Sequence, residues 1–511
     1  MSGDAGTPRR RAGTGARTST KAGIWEPAPS PALVRAPTYP WLVVATTCVG
    51  AFIGQLDASI VQIALPTLER AFEARLGAVS WVAIAYQLAF ASALPIFARL
   101  ADMAGRKLMY LVGFALFAAA SAACALAPDL PTLIAGRVLL GVAGAMLGAN
   151  SIVVLVRSAG AERRATAMGI FAASQAIGVS LGPIAGGILL EAFGWRAVFW
   201  ASVPFAAAAA LAAWLVVPTS GEAARERFDL PGALLLVPAL AALLMVISES
   251  YHWGPASFAF IACALIVPVF LAGFVARERR AVPPLVDLAL FRSRAFAGGM
   301  VGVVVAYAIL YAVLFLMSFA LVRGYAETPL AAGLKLAIVP VAIGLVAPFS
   351  GRLAARFGLR PVLVAGMVLC AVAMLLLSEA LFAADLRAVW RGAALALFGA
   401  GLGLFVAPNN DATLHAAPEN RSGAAGGLLN LMRVIGSSVG VASASALLSW
   451  RIAAATGRGD TTVGVPGDVL LAAVRDGLAL VVALAAIGAA AALLHRPPRT
   501  AASAASPETS R

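Results

Sequence analysis

Asp57 is the single charged residue between Trp41 and Pro66, in a run that is otherwise almost wholly apolar. A carboxylate there is expensive unless it is paired, hydrated or protonated, so the chemistry it offers is reversible binding of a proton. Arg137 is likewise the single charge between Pro131 and Val156. Counted along helices from Pro66 and Pro131, taken as ends on the same side, Asp57 lies about 13 Å deep and Arg137 about 9 Å deep, so the two are expected to meet. Two readings stay open. Either Asp57 takes up and gives up a proton while Arg137 favours its ionised form, or the two form a permanent ion pair that holds their helices together.

Arg433 is a second deep cation, expected to attract anionic groups or pair with Asp411, or else to snorkel. Lys335 falls near a span start and is expected to snorkel, and Glu249 and Glu379 fall near span ends where water is close. The candidate lining of a substrate cavity, with Arg433, is polar and aromatic: Gln55, Tyr86, Gln87, Asn150, Gln175, Tyr307, Tyr311, Phe315 and Asn430. Apolar walls with a few polar groups suit amphipathic organic molecules, although each residue taken singly also fits ordinary packing. Cys48, Cys124, Cys263 and Cys370 all lie in apolar stretches without metal-ligand spacing, and His252, His415 and His495 fall in expected loops or at the C-terminal edge. The sequence has no H-E-x-x-H and no nucleotide-binding G-x-x-x-x-G-K-[ST], so neither an enzyme nor an ATP-driven machine is expected, and no cofactor or metal is implied.

These residues need a membrane fold to position them. Of 511 residues, 61% are hydrophobic and 12% charged, against about 25% charged in soluble domains. Apolar spans are expected at 41–66, 79–100, 108–127, 131–156, 164–192, 197–217, 230–248, 256–276, 296–322, 330–350, 361–382, 388–408, 423–450 and 470–494. Each is a continuous run about 20 residues or longer, the length of a bilayer-crossing helix, and a β-barrel's alternating segments are excluded. The net charge of +14 takes its meaning from placement: 26 of 38 basic residues fall on the side of the two chain ends, 9 on the other and three within spans. That bias puts both termini in the cytoplasm and removes any need for a nucleic-acid partner. Only three of the 38 are lysines, which suggests a bacterial source.

The chain also repeats. Ala98–Gly105 (ARLADMAG) matches Gly351–Gly358 (GRLAARFG) at an offset of 253, and Ile177–Gly182 (IGVSLG) matches Ile435–Gly440 (IGSSVG) at 258. Parallel six-helix repeats around a midplane site form an alternating-access architecture. The expected organisation is a disordered basic tail at 1–40, an N-terminal half at 41–217, two inserted helices with loops at 218–295, a C-terminal half at 296–494 and a tail at 495–511.

Four motifs resemble the 14-helix drug:proton antiporter branch of the major facilitator superfamily. They are LDASIVQIALP at Leu56–Pro66, the loop element with Asp102, Gly105, Arg106 and Lys107, Arg137 with Gly141 and Gly144, and Gly178-x-x-x-Gly182-Pro183-x-x-Gly186-Gly187. The loop departs from the pattern at Ala98 and Met103, and the fourth motif occurs in one half only, since Val441 stands where Pro183 would repeat. The resemblance implies a multi-pass protein of a bacterial inner membrane that exports small amphipathic compounds against protons. Its partners would be the bilayer, the substrate and protons, with a monomer as the working unit. The helix-5 motif would form a pliable seal between the halves, or simply close packing. The charged loop would be a cytoplasmic latch whose bonds break as the halves rock, or only a topology signal. A dedicated exporter of one endogenous metabolite or peptide fits the same fold.

Overall fold

The computed structural model describes residues 26, 28–220, 230–254, 256–281, 286–382, 388–418, 421–457 and 461–495, and it is helical with no strand among them. The N-terminal half comprises α1 (Tyr39–Ala71), α2 (Leu76–Ala104), α3 (Arg106–Ala125), α4 (Leu130–Gly160), α5 (Glu162–Phe193) and α6 (Trp195–Val216). The inserted pair is α7 (Leu230–Trp253) and α8 (Phe258–Glu278). The C-terminal half comprises α9 (Arg294–Gly324), α10 (Pro329–Phe357), α11 (Leu359–Ala380), α12 (Ala388–His415), α13 (Ser422–Thr456) and α14 (Gly467–Ala492). Thirteen of these are long and apolar enough to cross a bilayer, and α7, apolar over Leu234–Glu249, is the shorter fourteenth.

Helix ends follow local chemistry. The side chains of Asp129, Ser257, Ser293 and Thr328 accept from the backbone N–H three residues on, which satisfies donors that a helix start leaves open. Gly105 and Gly358, equivalent in the repeat, both turn the chain at positive φ, +105° and +90°, which a side chain rarely adopts. The α4–α5 boundary is one residue in non-helical geometry, Gly160 at φ +73°.

Two expected boundaries are corrected. The first helix does not stop at Pro66: it continues to Ala71, because a proline in a helix interior can be absorbed as a bend. Asp57 is therefore 14 residues from the end, about 21 Å in. The expected tail at 1–40 is not structureless where it is described, since Pro31–Arg35 forms one helical turn and α1 already begins at Tyr39. Most of that tail, and residues 496–511, lie outside the described residues.

The repeat persists in packing. A Cβ on Gly178 or Gly182 would strike Phe52 O at 2.7 Å or Ser59 Oγ at 1.8 Å on α1, and one on Gly436 or Gly440 would strike Val304 O at 2.3 Å or Ala308 O at 2.2 Å on α9. The pairs α5/α1 and α13/α9 are thus the same close approach in the two halves.

Between the halves, the structure is sealed on the face away from the chain ends. Gly187 abuts Pro329 and Leu330, and Gly333 abuts the Pro183 carbonyl, each closer than a Cβ permits. The Leu330 N–H donates to Glu191 at 3.1 Å and Ser445 Oγ to Leu76 O at 3.5 Å. Toward the face of the chain ends α5 and α10 diverge, and a Cβ on Gly169 or Gly344 would meet nothing within 4 Å. The cleft between the halves opens on that face.

Candidate functional site

Asp57 of α1 and Arg137 of α4 meet as expected, although Asp57 lies farther from its helix end than the count from Pro66 implies. Arg137 Nη1 donates to Asp57 Oδ2 at 2.7 Å and Nε to the Val82 carbonyl of α2 at 2.8 Å, and both residues are 1% exposed. The guanidinium lies 4.5 Å from the Tyr86 ring centroid and 6.0 Å from that of Phe199, so aromatic faces replace part of its hydration. A buried ion pair this well supplied with partners keeps both charges compensated away from water.

The pair adjoins a cluster of aromatic side chains drawn from both halves. Tyr86 of α2 and Tyr311 of α9 are buried, and Tyr307 of α9 is half-buried with the Arg433 guanidinium 5.8 Å from its ring centroid. Arg433 Nη1 donates to Gln175 Oε1 at 3.5 Å, which joins α13 to α5 at their repeat-equivalent positions. Gln87 Oε1 accepts from the Ser437 hydroxyl, which ties α2 to α13, and Gln87 Nε2 has no described partner. Gln55 is half-buried at the α1/α5 contact, and Asn430 is half-buried on α13.

Three expected placements are corrected. Asn150 does not line the cavity: it accepts from Arg106 Nη1 at 3.3 Å and so belongs to the charged loop. Phe315 is 0% exposed and packs against Phe319 at 5.0 Å between centroids, inside the core of the C-terminal half. Arg433 pairs with Gln175 and not with Asp411, which is exposed beside His415. Lys335 is ion-paired to Glu327, and Glu249 accepts from Trp81 Nε1 at 3.2 Å.

In the charged loop, Asp102 and Arg106 form an i,i+4 ion pair. Lys107 Nζ donates to the Trp214 and Val217 carbonyls at 2.9 and 2.7 Å, closing the C-terminal end of α6. Glu26 accepts from Leu108 N–H and from Ser220 at 2.8–3.1 Å. All these partners lie within the N-terminal half or its flanks, so on the open face these bonds brace one half and do not bridge to the other. In the second half Arg360, equivalent to Lys107, donates to the His495 carbonyl at the end of α14, and His495 Nε2 lies 3.2 Å from Asn409 Oδ1. His495 is 2% exposed, so the C-terminal edge is a packed cap at this residue.

The helix-5 motif divides by face. Gly178, Gly182 and Gly186 press on α1 within one half, whereas Pro183 and Gly187 press on α10 across the halves. Only the second set belongs to the seal. Glu69, Arg323 and Thr462, absent from the sequence reading, also join the halves there. A span that stops at Pro66 leaves Glu69 outside it, whereas α1 runs on to Ala71 and carries Glu69 into the seal. Gln62, which belongs to the Leu56–Pro66 motif, is 1% exposed with neither amide atom partnered. No group of three His, Cys, Asp or Glu side chains spaced for a metal occurs among the described residues.

Two six-helix bundles that are sealed on one face, open on the other and hold a buried ion pair beside an aromatic cluster define a polytopic membrane transporter. The chain belongs to the Major Facilitator Superfamily, whose family model matches residues 47–441. It is 34% identical over 414 residues to the multidrug resistance protein Stp of Mycobacterium tuberculosis, covering 80% of this chain and 76% of that protein. It is 30% identical over 404 residues to the riboflavin transporter RibZ of Clostridioides difficile, covering 79% of this chain and 87% of that protein. Among solved structures it resembles a bacterial homologue of the human lysosomal transporter Spinster in an inward-facing, occupied conformation. That likeness has a TM-score of 0.65 at 14% identity, over 90% of this chain and 97% of the other.

Proposed function

We propose that the protein exports small amphipathic organic compounds, drugs among them, across a bacterial inner membrane in exchange for protons, with both termini cytoplasmic. The Asp57–Arg137 pair beside the aromatic cluster carries this reading. Positive charge concentrated on the face of the chain ends supports the orientation, and the cleft then opens to the cytoplasm in the state described. A lipophilic cation or neutral aromatic would lie against Tyr86, Tyr307 and Tyr311, with Gln175 and Arg433 selecting its polar groups. Protonation of Asp57 would release Arg137 from its charge partner. A proton and the substrate would then each change the one buried charge balance that the cavity adjoins, which is how two ligands on one site exclude each other. The proton gradient is the energy source, no cofactor is required, and one chain contains the whole pathway. The resistance function named for Stp favours drugs as the substrate class.

The test is uptake of a fluorescent lipophilic cation into liposomes under an imposed pH gradient, for the wild type and Asp57→Asn. Gradient-driven uptake that is lost in the variant while dye binding survives supports antiport through Asp57. Absence of any gradient effect across a broad dye panel removes the drug-export reading. A single-metabolite exporter then leads, a reading for which the riboflavin transporter among the relatives is the specific observation.

A further inference from the structure

The seal opposite the chain ends contains an acid that the Asp57 mechanism does not use. Glu69, in the last turn of α1, is 0% exposed. Its Oε1 accepts from the Thr462 N–H at 2.6 Å and from the Thr461 hydroxyl at 3.0 Å, and its Oε2 lies against the Thr462 hydroxyl. Both threonines belong to the segment between α13 and α14, so this carboxyl group joins the N-terminal half to the C-terminal half. The charged groups around it are Arg323 at the end of α9 and Arg70 beside it on α1. Arg323 spends Nη2 on the Pro66 carbonyl at 3.0 Å and acts on Glu69 through space, without an ion-pair contact among the described residues.

Asp57 and Glu69 therefore sit twelve positions apart on one helix in opposite circumstances. Asp57 is buried with a guanidinium bonded to it, whereas every hydrogen-bond partner of Glu69 is a neutral group. A carboxylate taken out of water with no cation bonded to it is costly, Arg323 offsets only part of that cost through space, and the neutral acid avoids it. The neutral form also fits the hydrogen bonds atom for atom. The Thr462 hydroxyl donates to Oε2 of the carboxylate; on protonation that bond reverses, so that Oε2–H donates to the hydroxyl oxygen while Oε1 still accepts from Thr462 N–H and Thr461 O–H.

We infer that Glu69 is a second proton-binding site, one that the outer seal closes over. In the outward-open state the end of α1 parts from the α13–α14 segment and Glu69 meets external water. A proton taken there onto Oε2 neutralises the group and lets the threonines close on it. When the seal is shut this proton has no route to the cytoplasmic cleft through Glu69 itself, so it acts on the gate and Asp57 carries the coupled one. External acid then favours the outer-closed state. The inference adopts the orientation proposed above but not the antiport reading, because it concerns the gate in the absence of substrate.

The experiment places spin labels on the two sides of the seal, at Arg75→Cys and Val463→Cys, both exposed, in a Cys263→Ala, Asp57→Asn background reconstituted in lipid. Inter-label distances are measured by pulsed electron resonance between pH 5 and pH 8 without substrate. The closed-to-open ratio is expected to rise on acidification by up to about tenfold per pH unit for one coupled proton. Glu69→Gln, which reproduces the neutral acid, should hold the closed population at every pH. Thr462→Val, which removes the hydroxyl that Oε2–H needs, should move the midpoint to lower pH, and it keeps the test decisive if the glutamine variant fails to fold. A pH response unchanged in Glu69→Gln, a midpoint unmoved in Thr462→Val, or a seal that opens on acidification would each overturn the inference.

Discussion

At the residue scale, two buried groups make opposite demands. Arg137 is held by Asp57, the Val82 carbonyl and two aromatic faces. Truncating it to alanine leaves Asp57 buried without its partner, and losing one side of such a pair typically costs about 3–5 kcal/mol. Asp57→Asn keeps an oxygen for the guanidinium and should lose less. Thermal unfolding in detergent therefore ranks wild type above Asp57→Asn above Arg137→Ala, and a variant without Arg137 that melts with the wild type removes the structural share of the pair. His495 makes a different prediction. Asn409 gives its amide N–H to the Gly299 carbonyl at 3.0 Å, so its Oδ1 is free to accept, and the imidazole donates from Nε2 as a neutral ring. Burial, and then the nearby Arg360, hold this histidine below its ordinary value. The unfolded chain takes up the proton first on acidification, at about pH 6.5, so the contribution to stability is complete above that pH and declines as pH falls below it. Unfolding measured from pH 8 to pH 5 should lose part of its slope in His495→Gln.

At the scale of elements, the glycine stripe of α5 makes two separable contacts. Gly182→Ala drives a methyl into Ser59 within one half, so overpacking is expected to lower stability by about 1–3 kcal/mol and leave the gate equilibrium alone. Gly333→Ala meets the Pro183 carbonyl at 2.1 Å across the halves and should open the seal, read as a longer distance between the same spin labels. Equal effects of the two on the gate would remove the distinction. This division shows where the sequence was legible. Apolar runs, the internal repeat and the lone charges Asp57 and Arg137 disclosed the spans, the two halves and their buried pair, because an isolated charge in a bilayer span has few places to go. Which side of a helix faces which neighbour was not legible. Asn150 and Phe315 have suitable side chains for a cavity and point elsewhere, and Pro183 and Gly187 differ from Gly182 only by their angle around α5. Glu69 was hidden by a reasonable rule applied at Pro66, where tertiary packing carried the helix through the proline.

At the scale of the whole molecule, the inserted pair breaks the symmetry of the two halves. α7 lies along the seam where α2 meets α13, with Leu240, Leu243 and Leu244 facing Leu88 and Ala91 of α2 and Ile435 and Val439 of α13. Two of its side chains bond to α2: Ser248 Oγ is 3.4 Å from Ser80 Oγ, and Glu249 accepts from Trp81. α8 packs outside α7 and exposes most of its apolar surface, including Leu265 and Val269. The seam between α5 and α10 has no such cover among the described residues. Directional hydrogen bonds to α2 and mainly apolar packing on α13 mean that α7 travels with the N-terminal half and slides on the C-terminal half as the bundles rock, since apolar surfaces shift register at little cost while a hydrogen-bond pair does not. A disulfide between Ser80→Cys and Ser248→Cys should therefore form and leave transport close to wild type. A bridge between Leu244→Cys and Ser438→Cys, which spans the sliding contact, should arrest transport until it is reduced. If the first bridge arrests transport and the second does not, α7 instead belongs to the C-terminal half, and the rocking boundary runs between α7 and α2.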